Sequence, residues 1–123
     1  MKVVRIVQAV AGIAGLLALV LGLLVWFAQA NVIGPHMILG LIVTLGLLSL
    51  SVLALFTSGL RVLGVIGVIY ALIVPAFGLN QSGMLVGDLH WLIRLAHLLV
   101  GIGAMGLMGA IGARYVRLKQ AAA

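Results

Sequence analysis

The sequence has no cysteine, which excludes disulfides and thiolate metal sites. It has one acid, Asp88, against seven lysines and arginines and three histidines. Carboxylate pairs for acid–base catalysis and carboxylate metal clusters are therefore excluded, and neither a nucleophile–base pair nor a phosphate-binding loop can be read. A soluble-style enzyme is not expected. Charged residues make up only 7% of the 123 positions, where a soluble domain carries about 25%. In their place 66% of the chain is hydrophobic. A water-soluble core of this size would not hide so much apolar surface, so the surplus is expected to face a lipid bilayer. The basic excess would point to nucleic acid in a soluble protein. Here the cations stand at the ends of apolar runs, where they set membrane topology instead.

A membrane span needs about 20 apolar residues, and four such stretches can be read: 3–27, 35–56, 60–77 and 89–113. They predict one all-α domain over 1–123, an integral membrane four-helix bundle. The first stretch follows Lys2 and Arg5 and superficially resembles a signal peptide. Its apolar run exceeds the 7–15 residues of a signal sequence, so it is expected to remain as a spanning helix. Gln29, Asn31, Gly34 and Pro35 mark the first turn, Thr57, Ser58 and Gly59 the second, and Gly78 to Gly83 open the third. Lys2, Arg5, Arg61, Arg114, Arg117 and Lys119 all fall on one side, and only Arg94 on the other. The positive-inside rule then places both termini in the cytoplasm and the chain in the inner, cytoplasmic membrane. Ser49, Ser51 and Thr44 in the second span are expected to bond the preceding turn.

Most of the 17 glycines lie within the spans. In lipid, small residues let helices approach closely. Gly103, Gly106, Gly109 and Gly112 form a series at three-residue spacing, read as a packing stripe or as room for a flat cofactor. The chain also reads as two pseudo-repeated helical hairpins. Segment 25–31 parallels 74–80, each ending in asparagine. The helix after each carries a histidine followed four residues on by glycine: His36 with Gly40, and His97 with Gly101.

Helices two and four run the same way, and counting from their cytoplasmic ends puts His36 and His97 within about 5 Å in depth. His90, Arg94 and His97 share one face of helix four. Ionisable groups inside a span are costly and are functional candidates by default. Asp88 is expected to cap helix four, and Trp26 and Trp91 to anchor at the interface. Two histidines at similar depth on different helices meet the requirement for axial ligation of a b-type heme. In that reading His36 and His97 bind the metal, Gly40 and Gly101 leave space for the ring, and His90 and Arg94 receive the propionates. A bis-histidine site has no open coordination position, so the expected role is electron transfer. If helix four starts at Leu89 and His90 lies at the depth of His36, those two become the ligand pair and His97 the spare.

A four-helix bundle with histidines near the same end of helices two and four resembles the small membrane b-type cytochromes, and is similar to one half of heme A synthase. The likeness rests on the helical plan and on His36 and His97. The chain lacks the second histidine pair of diheme relatives, so one heme is implied, with electrons entering and leaving at the outer side or through a redox partner. A chlorophyll-type pigment, needing one histidine, is a variant. An alternative is a cofactor-free accessory subunit of a larger respiratory or photosynthetic complex, and the glycine faces would also suit a homo-oligomer. A small multidrug-type transporter is disfavoured, because helix one has Gln8 where such a protein resembling this plan needs a carboxylate.

Overall fold

The computed structural model describes all 123 residues and is an all-α four-helix bundle. Helix α1 spans Lys2–Ala28, α2 Ile33–Leu55, α3 Arg61–Asn80 and α4 His90–Ala121, with a single 3-10 turn at Gln81–Gly83. All four are long and apolar enough to cross a membrane, each with a window of mean hydropathy between 1.8 and 2.6. Two boundaries run past the sequence expectation. Helix α3 continues through Pro75 to Asn80, and α4 continues beyond Ala113 to Ala121. Neither extension needs apolar residues, since a helix satisfies its own backbone hydrogen bonds on either side of an apolar span.

Short links make successive helices antiparallel. Helix α1 ends where Gln29 adopts φ 51, a left-handed turn that brings the Ala30 N–H back to the Leu24 carbonyl at 3.2 Å. Gly59, at φ 84, does the same work between α2 and α3. Helices α2 and α4 meet across the middle, while α1 and α3 stay apart at opposite corners.

Small residues set the seams. In α1 they recur at Ala11, Gly15, Ala18 and Gly22, and in α3 at Gly64, Gly67, Ala71 and Gly78. These are heptad spacings, so each series stays on one face. A Cβ at Gly46 of α2 would stand 2.6 Å from that of Ala11, and one at Gly15 2.6 Å from Met105 Sδ. One at Gly67 would collide with the Ser51 hydroxyl. The glycines of α4 behave differently. Three residues fall about 60° short of a turn, so nine residues carry the series to the opposite side of the helix. Gly103 accordingly faces Tyr70 of α3, Gly112 faces Gln8 of α1, and Gly106 and Gly109 face nothing. The expected α4 stripe is therefore two separate contacts rather than one seam.

Polar side chains inside the bundle bond backbone. Thr44, Ser49 and Ser51 donate to the carbonyls four residues back, at 3.0, 2.7 and 2.6 Å. Tyr70 donates to the Val100 carbonyl at 2.9 Å, tying α3 to α4, and Gln8 Nε2 donates to that of Gly109 at 3.3 Å, tying α1 to α4. The Tyr70→Phe variant keeps the ring but loses its bond. Its thermal midpoint in detergent should fall by the equivalent of about 1 kcal/mol.

Burial is uneven along the bundle. None of the 20 buried residues falls within 19–42 or 72–103, the stretches next to the Asn31 and Asn80 turns. The half next to the Asn31 and Asn80 turns is the more open one, and it carries the histidines.

Candidate functional site

His36 stands in the first turns of α2 and His97 two turns into α4. The bundle brings them together across its α2–α4 diagonal, ring centroids 6.0 Å apart and planes at 63°. Each ring rests on a glycine of its own hairpin partner. A Cβ at Gly22 of α1 would lie 3.0 Å from His36 Cε1, and one at Gly78 of α3 3.2 Å from His97 Cε1. Both glycines close the small-residue series of their helices, so the seam that packs each hairpin ends beneath a histidine. Phe77 flanks His97, with ring centroids 5.9 Å apart.

The two imidazoles differ in their hydrogen bonds. His36 Nδ1 lies 2.8 Å from the Ala18 carbonyl. A carbonyl only accepts, so Nδ1 carries the proton of this bond and Nε2 is the nitrogen left out of it. His97 Nδ1 is buried with no partner. A buried ring nitrogen without a hydrogen bond costs about 1–3 kcal/mol, which makes it the one polar atom of the bundle whose placement packing does not explain.

Comparison with protein-family models, curated proteins and solved structures finds no match to this chain. Its chemistry rests on the site alone.

The other residues read from the sequence lie near the pair without joining it. His90 opens α4, and its Nδ1 donates to the Met84 carbonyl at 3.0 Å, which fastens the loop instead of reaching His36. Arg94 is exposed, one turn further into α4. Asp88 does not cap α4: Leu89 occupies the cap position and no side chain bonds there, because the Gly87 turn, at φ 111, leaves Asp88 outside the helix. Trp91 is exposed. A Cβ on Gly40 or Gly101 would meet nothing within 4 Å. The reason is directional. Helical side chains lean toward the N-terminus, so each histidine reaches away from the glycine four residues ahead and onto the neighbouring helix.

Gly22 and Gly78 are the contacts that sequence reasoning missed. The available signal was the heptad repetition of small residues in α1 and α3, which is a stronger pattern than the three-residue series in α4.

Whether the pair suits a heme can be tested on its geometry. Two imidazoles on opposite sides of one metal ion, each bonded at about 2 Å, place their ring centroids roughly 6 Å apart. A metal-bound histidine normally donates its other ring N–H to a carbonyl, as His36 does to Ala18. The residues present fit the group.

Proposed function

We propose that this chain is a membrane b-type cytochrome, in which His36 and His97 would hold one heme between α2 and α4. The observation that carries this reading is the pairing itself: two imidazoles from diagonal helices at 6.0 Å, one with its tautomer fixed by the Ala18 carbonyl. No group of three or more His, Cys, Asp or Glu forms in this chain. A bare structural ion takes about four protein ligands, whereas a heme supplies its own equatorial nitrogens and asks the protein for two axial ones. A bis-histidine pair suits that demand.

When bound, the heme would supply one-electron chemistry. The chain's own contribution is to hold two imidazoles in place, through Ala18 and the Gly22 and Gly78 contacts. Arg94 and His90, one and two turns nearer the Asn80 loop, are the cationic or hydrogen-bonding partners available to the propionates. The role is electron transfer toward a redox partner.

The reading includes a chain that crosses the inner membrane four times with both termini cytoplasmic. Large apolar side chains are exposed along every helix, with Phe56 at 82% and Val62 at 75%. That is untenable in water and ordinary in lipid. The basic residues cluster where the positive-inside rule requires, and the histidine pair then lies toward the outer side. The parallel placement of His36 on Gly22 and His97 on Gly78 favours two pseudo-repeated hairpins.

An absorption spectrum of detergent-purified protein, before and after dithionite, tests the heme. A Soret band that shifts and sharpens on reduction, with a clear α-band, is expected, and a chlorophyll-type pigment would show its own colour. A colourless protein from heme-replete cells would instead favour a cofactor-free accessory subunit. That second reading draws on Gly12 and Gly106, small residues with nothing against them on the outside of α1 and α4, where a partner helix would pack closely.

A further inference from the structure

At the end of the bundle that carries the termini, the α2–α3 turn and the last turns of α4 enclose an open cleft of about 250 Å³. It is lined by Gly59, Leu60, Arg114, Arg117 and Leu118. Arg114 and Arg117 are spaced i, i+3, so both guanidinium groups leave α4 on one face, where like charges repel. No acidic side chain stands near them. The one acid, Asp88, precedes α4 at the opposite end of the bundle.

The walls are made by packing rather than by chance exposure. Gly59 turns the chain at φ 84, which sends Leu60 inward to 2% exposure. A Cβ at Gly59 would lie 3.8 Å from Leu118 Cδ1, so loop and helix close on each other through apolar contact. Both arginines remain exposed. The result is two cations above a leucine floor, at the level where four apolar helices end.

From this combination we propose that Arg114 and Arg117 bind the phosphate of an anionic phospholipid headgroup. Guanidinium forks match phosphate oxygens bidentately, and basic pockets at helix ends on the cytoplasmic side suit lipid headgroups. Leu60 and Leu118 meet the start of the lipid's apolar part. A free phosphate would use the same guanidiniums but gain nothing from the leucines. Lys2 and Arg5 begin α1 at the same end and raise the local anion concentration, yet they do not line the cleft. The assignment rests on the membrane-spanning reading and is independent of the heme.

Native mass spectrometry of the full chain in mild detergent tests it, with phosphatidylglycerol, phosphatidylcholine and inorganic phosphate as probes. One phosphatidylglycerol should be retained at concentrations where phosphatidylcholine is not. The double variant Arg114→Gln/Arg117→Gln should bind it roughly 30-fold more weakly. Lys2→Gln/Arg5→Gln loses the same charge outside the cleft and should change affinity by less than about threefold. Single Arg117→Gln, with an intermediate loss, serves if the double variant does not fold. Equal retention of the two lipids, equal loss in both double variants, or displacement of phosphatidylglycerol by millimolar inorganic phosphate would overturn the assignment. Release of the chain from membranes by alkaline carbonate would overturn the spanning reading itself, whereas a missing heme would leave the lipid site standing.

Discussion

Replacing either His36 or His97 with alanine is expected to abolish heme retention, with the heme-to-protein ratio falling at least tenfold and the reduced α-band disappearing. In the proposed site each ring would be one of two heme ligands, and the third histidine, His90, is engaged with Met84. His90→Ala should therefore leave a low-spin heme in place, with a shifted midpoint potential at most. Loss of fold is separable from loss of ligand. His97 Nδ1 has no hydrogen bond in the bundle, so removing the ring breaks no hydrogen bond and loses only its packing against Gly78 and Phe77. The thermal midpoint of His97→Ala, compared with protein depleted of heme, should drop by no more than about 1 kcal/mol equivalent. Gly22→Val and Gly78→Val give an intermediate case. A Cβ at these positions would stand 3.0 and 3.2 Å from the rings, so a bulkier side chain must push the imidazoles out of line. Both variants should bind heme more weakly and with altered low-spin signatures. A normal low-spin spectrum in His97→Ala would sink the ligand assignment.

The helical plan was legible because it depends on quantities that sequence reports directly: apolar run length, glycine and asparagine at the breaks, and the placement of basic residues. The pairing of His36 with His97 was legible for a related reason. Depth along a helix follows from residue counts at about 1.5 Å each, and two parallel helices can be aligned from their ends. What the chain did not disclose was azimuth. Which face of α4 meets which neighbour depends on crossing angles, and those are set by the small residues of α1 and α3 acting together. That is why Gly103 and Gly112 look like one stripe in sequence and face different helices in the bundle. It is also why Gly40 and Gly101, adjacent to the histidines in sequence, proved to be open space, while distant Gly22 and Gly78 carry the rings. The cap at Asp88 failed on a local detail, the Gly87 turn, that decides which residue enters the helix first.

Gly64 should be the least replaceable position in the bundle, and the comparison with Gly12 isolates the reason. A Cβ at Gly64 would stand 2.7 Å from the Leu55 backbone nitrogen and 2.9 Å from the Ser51 carbonyl oxygen. These are main-chain atoms of α2, so no rotamer change relieves the clash, and the two helices must separate. Separation at this level also strips contact from Gly67 and Ala71, both buried in the same seam. Overpacking a close-packed interior costs about 1–3 kcal/mol, and a backbone clash falls at the upper end of that range. A Cβ at Gly12 meets nothing within 4 Å, and alanine in a helix interior is favoured over glycine by about 0.5–1 kcal/mol. Gly12→Ala should thus be neutral or mildly stabilising while Gly64→Ala destabilises, a difference of roughly 1–3 kcal/mol in unfolding by SDS titration, set by the clash because the propensity gain is common to both. Valine at position 64 should prevent accumulation of folded protein. The sign of the contrast carries the test, because both substitutions add the same methyl to the same kind of helix. Equal stabilities for Gly12→Ala and Gly64→Ala would mean that α2 and α3 do not approach through their backbones. The α3 seam would then no longer fix where Gly78 holds His97, so the geometry of the histidine pair depends on this contact nearly four helical turns away.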